Sequence, residues 1–200
     1  LEVGCGTGQT ACYLAAQGHR VTAVDFHENM VDKTRRRAEH LGLHLRTVRA
    51  DVCQLPWDDN EFDIVLFESV LNFSNASQAL AECFRVLRPG GMLYGRELMA
   101  DERIPEEKAE AMKAFFGMPQ ILSQQAWQDL FRRLEPASAE LLEYEPFAQA
   151  WRKSHDEDGS AFIDEGAFED AALWRAAMQH DEILFDNSPY LFSGLFRITK

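Results

Sequence analysis

Three glycines at alternate positions, Gly4, Gly6 and Gly8, follow a short opening, Leu1-Glu2-Val3. Glycine in a loop between a strand and a helix lets a ligand approach backbone that side chains would otherwise block. Asp25 closes a β-branched run, Val21-Thr22-Ala23-Val24, and stands 21 residues after Gly4. A carboxylate at that place accepts two hydrogen bonds from a ribose diol. The dinucleotide fingerprint is GxGxxG, and this loop departs from it by one residue. Taken alone, the glycines fit a tight strand-to-helix turn as well as a ligand loop. Metal and thiol chemistry have little support. Cys5, Cys12, Cys53 and Cys83 lack CxxC spacing, and the six histidines offer no HExxH. His40 and His44 are four apart, but Gly42 between them ends the helix, so no metal site is expected.

The elements that must position these residues alternate between strand and helix. Ala11, Leu14 and Ala15 repeat at helical spacing after the glycine loop, with Gly18 as the stop. Met30, Val31, Thr34, Ala38 and Leu41 mark one face of a second helix, and Leu43, Leu45 and Val48 a weaker third strand ending at Ala50-Asp51. Phe62 to Phe67 is the strongest strand pattern. Ala79, Leu80, Cys83, Phe84 and Leu87 stripe the next helix, and Pro89-Gly90-Gly91 breaks the chain before Met92-Leu93-Tyr94. This order predicts right-handed crossovers and an α/β fold, a doubly wound parallel sheet with helices on both faces. Helices are predicted over 105–116 and 124–134, and a strand over Leu141 to Phe147. An exposed loop over 152–166, a helix from Phe168 to Met178 and a closing strand from Tyr190 to Ile198 follow. One domain over 1–200 is expected, with a ligand-binding half over 1–100 and lid-like insertions in 101–200.

Composition excludes several functions. The 200 residues carry 20 basic and 33 acidic side chains, a net charge of −13. The first hundred residues hold −3 of this and the second hundred −10. A nucleic-acid binder normally displays a basic footprint, so no nucleic-acid partner is expected. An anionic membrane surface is disfavoured for the same reason, and no apolar run is long enough to span a bilayer. The one basic cluster, Lys33 with Arg35, Arg36 and Arg37, reads as a solvated helix face. Cysteines without a disulfide framework point to a reducing, cytoplasmic setting.

Five segments in order resemble the motifs of class I S-adenosylmethionine-dependent methyltransferases. Glu2-Val3-Gly4-Cys5-Gly6-Thr7-Gly8 looks like the first. Val24-Asp25-Phe26-His27-Glu28-Asn29-Met30 looks like the second, with His27 where a small helix-capping hydroxyl is more usual. Arg49-Ala50-Asp51-Val52 with Leu55-Pro56-Trp57 is similar to the adenine-contacting segment. Phe62-Asp63-Ile64-Val65 and Arg85 to Gly91 resemble the fourth strand and the turn into the fifth. The resemblance covers residues 1–95 closely. It implies a seven-stranded sheet in the order 3-2-1-4-5-7-6 with the last strand antiparallel. It also implies S-adenosylmethionine as cofactor. Gly4, Gly6 and Gly8 would then make room for its methionine part, with Glu2 near its amino group. Asp25 would bind the ribose hydroxyls, and Phe26 and Met30 would pack around ribose and adenine. Asp51 and the Val52 amide would meet the adenine, and Glu68-Ser69 would border the sulfonium and the substrate. Helices that precede the first strand in the family are expected to be missing from this sequence.

The acceptor is less legible. Family members acting on DNA or protein glutamine carry Asn/Asp-Pro-Pro-Tyr after the fourth strand, whereas this chain has Glu68-Ser69-Val70-Leu71-Asn72-Phe73. A small-molecule acceptor is therefore expected, with Ser69, Asn72, Phe73, Phe115 and Phe116 in its pocket. The segment Phe115-Phe116-Gly117-Met118-Pro119 fits an apolar roof over that pocket, and equally a helix core followed by a turn. Glu68, Asn72 and His155 are candidate bases, but no spacing assigns one, and the oligomeric state is open. A non-catalytic cofactor-binding module stays open as an alternative. A nicotinamide-dependent oxidoreductase is disfavoured by the glycine spacing.

Overall fold

The structure, a computed structural model, describes residues 1–157 and 171–200. Among the described residues seven strands form one sheet. They are β1 (Glu2–Val3), β2 (Thr22–Asp25), β3 (Arg46–Arg49), β4 (Phe62–Glu68), β5 (Leu87–Ala100), β6 (Ser138–Pro146) and β7 (Leu191–Thr199). Their order is β3-β2-β1-β4-β5-β7-β6. The first five are parallel, with Glu2 opposite both Ala23 and Leu66, and β7 runs antiparallel to β5 and β6. This is the doubly wound sheet that the sequence pattern predicts, in the strand order that the resemblance implies.

Helices α1 (Gln9–Ala16), α2 (Glu28–His40), α3 (Ala76–Val86), α4 (Glu106–Phe116), α5 (Gln124–Arg133), α6 (Phe147–Glu157) and α7 (Ala171–Asn187) surround it. Successive strand residues point to opposite faces, and the core divides accordingly. Ala23 packs with Ala11 of α1 and Cys5, whereas Val24 joins the cluster of Val65, Phe67, Leu80, Leu93 and Trp127. In that larger core the Phe196 ring lies 4.5 Å from Phe131, 5.6 Å from Phe67 and 5.7 Å from Trp127. Such burial of large apolar side chains supplies most of the driving force, at ~25 cal/mol per Å².

Several expectations are corrected. The break at Pro89-Gly90-Gly91 is a bulge within β5, because Leu87 already pairs with Phe62 and the ladder shifts before Ile64 meets Met92. Gly90 takes φ 74° there. The third strand begins at Arg46, after Leu43 and Leu45, and Leu41 is exposed. The strand expected to run to Phe147 ends at Pro146, and Phe147 instead opens α6. Residues 152–157, expected in a loop, are helical, while 158–166 lie outside the described residues. The same is true of Phe168 in the expected helix, which the structure describes from Ala171.

Candidate functional site

The glycine loop leaves β1 and returns at Gly8, the residue before α1. All three glycines hold positive φ, 68° at Gly4, 52° at Gly6 and 78° at Gly8, a region costly for other residues. A Cβ at Gly4 would overlap Val70, and one at Gly8 would come within 2.6 Å of Thr34 Cγ2. A Cβ at Gly6 would meet nothing within 4 Å. Two of the glycines thus admit neighbouring parts of the protein, and Gly6 is the one that faces open space. Hydrogen bonds fix the loop. The Gly6 amide donates to Asp25 Oδ2 (3.0 Å), and Asp25 Oδ1 accepts from the His27 amide (2.9 Å). Thr34 Oγ1 donates to the Gly6 carbonyl (3.0 Å), and Arg37 Nε to the Thr7 carbonyl (2.9 Å). Arg37 therefore does more than solvate a helix face. His27, at the N-cap of α2, makes no side-chain capping bond.

Three cavities open along the strand ends and meet at Glu68. The first, about 500 Å³, is lined by Gly4, Asp25, Phe26, Asp51, Val52, Glu68, Ser69 and Phe73. The second, about 420 Å³, runs beside the glycine loop and is lined by Glu2, Gly4, Gly6, Thr7, Glu68 and Arg96. The third, about 530 Å³, is walled by Glu68, Ser69, Arg96, Glu97, Glu143, Trp151 and Lys153. Gly8, Met30, Asn72, Phe115 and Phe116 line none of these three. Phe26 is 57% exposed at the edge of the first cavity, with its ring edge-on to His27. Asp51 accepts the Cys53 amide at 2.8 Å, which holds the turn carrying Val52.

Glu2 is the most constrained acid of the second cavity. It is 7% exposed, and its Oε2 has no hydrogen-bond partner among the described residues. Burial pushes its carboxyl up to about 7, against the opposing pull of the Ala11 backbone. A buried carboxylate oxygen without a partner favours a cation, and the amino group of a bound amino-acid moiety beside the glycine loop would meet that need.

Phe115 and Phe116 sit elsewhere. Phe116 packs against Met112, Leu184 and Leu191 between α4 and α7, with ring contacts to Phe115 (4.9 Å) and His180 (5.3 Å). Gly117 then ends α4 in the left-handed conformation. Phe116 takes the place of a helix-core residue, and Gly117 makes the turn that follows. Asn72 is 1% exposed and turned to Glu97 and the Leu98 carbonyl. His155 lies in α6, and its side chain is outside the described residues.

Sequence reasoning missed Arg96, Glu97, Glu143 and Lys153. Arg96 donates to Glu143 Oε2 (2.8 Å) and Ser193 Oγ (3.1 Å), and Lys153 to Glu145 Oε2 (2.6 Å). A signal for Glu97 existed. It occupies an inward position of the alternating run Leu93, Gly95, Glu97, Met99, where an acid is out of place unless bonded.

Residues 1–95 match the family model described as a methyltransferase domain. The uncharacterized methyltransferase YodH of Bacillus subtilis is 34% identical over 164 residues, 82% of this chain and 70% of that protein. A demethylmenaquinone methyltransferase of Thermus thermophilus is 41% identical over 96 residues, 46% of this chain and 44% of that protein. A Haemophilus influenzae relative is matched over 55% of its length, so the chain spans about half the length of some relatives. Among solved structures, the YcgJ protein of Bacillus subtilis superposes with a TM-score of 0.73 at 19% identity, covering 100% of this chain and 90% of that one. The geranyl diphosphate C-methyltransferase of Streptomyces coelicolor, solved with S-adenosyl-L-homocysteine, gives 0.72 at 18% identity, covering 99% and 70%. The sheet order and the glycine loop are those of the class I, Rossmann-like methyltransferases. The chain belongs to the S-adenosylmethionine-dependent methyltransferase family, and S-adenosylmethionine is its cofactor. Among the described residues no helix is long and apolar enough to cross a membrane, and no group of three His, Cys, Asp or Glu could hold a metal ion.

Proposed function

We propose that the protein transfers a methyl group from S-adenosylmethionine to a small-molecule acceptor held in the third cavity. The observation that carries this reading is the meeting of three cavities at Glu68, one of which ends on Glu2 and one on the paired side chains Arg96 and Glu143. Glu2 and the open face of Gly6 would hold the methionine end. Asp25 would take the ribose hydroxyls, and Asp51 with the Val52 amide would take the adenine. The cofactor supplies an activated methyl on sulfonium, transferred by in-line displacement. The protein's own part is alignment, and such positioning can be worth ~7–11 kcal/mol of barrier.

Glu68 and Ser69 stand between donor and acceptor cavities, where they would orient the nucleophile and screen developing charge. A general base is required only if the acceptor must lose a proton, and none is assigned. The net charge of −13 supports an acceptor other than nucleic acid. The test is incubation with methyl-labelled cofactor and fractionated cell metabolites. Label in a low-molecular-mass fraction is expected. Tight cofactor binding with no labelled fraction would instead mean a non-catalytic binding module.

A further inference from the structure

Glu97, in the middle of β5, is 1% exposed and faces the turn that follows β4. Its Oε1 accepts from the Val70 amide (2.8 Å) and the Leu71 amide (2.7 Å), and its Oε2 from Asn72 Nδ2 (3.0 Å). Asn72 also donates to the Leu98 carbonyl at 2.7 Å. The 3₁₀ turn Leu71–Phe73 has no side-chain cap from Val70, its own N-cap residue. A carboxylate one strand away therefore does the capping. Just before this turn Ser69 holds φ 53°, a conformation a non-glycine residue keeps only where its surroundings enforce it. The Ser69 amide is tied to the Arg96 carbonyl at 2.8 Å.

The turn separates two cavities. Ser69 lines both the first and the third, Val70 lines the first and fills the space at Gly4, and Glu97 lines the third. We infer that Glu97 is a positioning residue. It sets the Ser69–Asn72 turn, couples the cofactor cavity to the acceptor cavity, and loosens its hold on the turn when its carboxylate takes up a proton. The coupling rests on the acceptor reading of the third cavity, whereas the hold on the turn does not. A proton on Oε2 would make that oxygen a donor facing Asn72 Nδ2, so this bond would be lost, and Oε1, then a neutral carbonyl oxygen, would hold the Val70 and Leu71 amides more weakly. Burial pushes the carboxyl up to about 7 against the pull of those same N–H groups, which brings the change into the ordinary pH range. The charged groups around it are Arg96 on β5, Glu68 on β4, Glu143 and Glu145 on β6 and Lys153 on α6. β7 contributes the neutral Ser193, and the turn the neutral Asn72. Arg96 and Lys153 are each engaged by a β6 carboxylate.

The test follows the Val70 and Leu71 amide protons by NMR in the cofactor-free protein, from about pH 5.5 to about pH 8.5. Both should shift together with a midpoint near neutrality in the wild type and stay flat in Glu97→Gln. Glu2 also titrates near 7, so the shift must persist in Glu2→Gln. Calorimetry at the upper end of the range should show Glu97→Gln binding S-adenosylhomocysteine roughly five- to tenfold more weakly. If Glu97→Gln does not fold, Asn72→Ala removes one donor and leaves the two amides. It should raise the midpoint, because the ionised form loses a partner, and weaken binding by roughly two- to threefold. Amides that do not titrate in the wild type, or wild-type affinity and midpoint in these variants, would overturn the assignment. A chain without any acceptor activity but with the amide titration intact would refute only the acceptor reading of the third cavity.

Discussion

The two sides of the site are built from different material. On the side of β1 and β2 much of the lining is the backbone of the glycine loop, held from the end of β2 and from α2, 19 to 30 residues away: Asp25, Thr34 and Arg37 all bond the Gly6-Thr7 stretch. On the side of β5, β6 and α6 the lining is side chain against side chain. Arg96 reaches Glu143, 47 residues away, and Ser193, 97 residues away. Backbone donors and acceptors come with any sequence that can make the turn, so the first side suits a part common to many proteins, the cofactor. Paired side chains can be exchanged without disturbing the sheet, so the second side suits what differs, the acceptor.

That contrast can be broken most forcefully within the glycine loop. Gly4→Ala meets both a left-handed backbone, at ~1–2 kcal/mol, and overlap with Val70, at ~1–3 kcal/mol. Thermal unfolding should show a loss of about 2–5 kcal/mol. Gly6→Ala carries only the backbone cost of ~1–2 kcal/mol, but its methyl enters the open space, so calorimetry should show cofactor binding weakened well beyond the loss of stability. Equal effects of the two variants would mean that the loop's glycines are interchangeable and that Gly6 has no special relation to the ligand.

Next in size is Phe116→Ala. The ring is half-buried, so the change should cost about 2–3 kcal/mol of stability, below the value for a fully enclosed phenylalanine. Cofactor affinity and acceptor preference should both stay as in the wild type. A change of acceptor preference without loss of stability would return this segment to the acceptor pocket.

A smaller effect should mark Glu2. A cation beside it favours the ionised carboxylate, so cofactor binding lowers its pKa from about 7 and releases a proton below that pH. Affinity should accordingly rise as pH rises through 7 and level off above. Calorimetry in buffers of different ionisation enthalpy would detect the released proton, which Glu2→Gln should abolish. Proton uptake instead of release would place the cofactor's amino group elsewhere.

The smallest stability change is expected at Glu143→Gln. Its ion pair with Arg96 is 49% exposed on the Glu143 side, so the stability cost should stay below ~1 kcal/mol. The acceptor KM should nevertheless shift by a few-fold while cofactor affinity holds. Equal shifts in both would erase the division between the two sides.

What could be read from the sequence follows the same division. The glycine loop, Asp25, Asp51 and β4 are contiguous signals, and the structure gathers Asp25, Phe26, Asp51 and Val52 around one cavity. The side proposed for the acceptor depends on pairings between residues far apart in the chain, which no local pattern announces. Helix α6 went unseen because Phe147, Ala150 and Trp151 keep helical spacing on one face while the intervening polar residues dominate the composition. Glu97 stood out as an acid at an inward position of β5, but its role could not be read, because its partners, the Val70 and Leu71 amides, carry no side-chain signature. Phe115 and Phe116 looked available because an aromatic pair has the same appearance in a pocket wall and in a helix interface.

The place of β7 in the sheet has a consequence for the order in which the protein can be assembled during synthesis. Among the described residues β6 pairs with β7 alone, and β7 begins only at Leu191, after α6 and α7 have been made. A nascent chain with β7 still inside the ribosome can already pair β1 through β5, including the glycine loop and its contacts. It must keep β6 waiting, with its ladder groups open to solvent or to a chaperone. A growing chain could thus hold a competent cofactor cavity before it has a finished acceptor wall, and occupancy by cofactor at that stage would stabilise the half already formed. Chains arrested with β7 inside and outside the ribosome should differ most in protease resistance over β6 and α6, and least over β1 to β3.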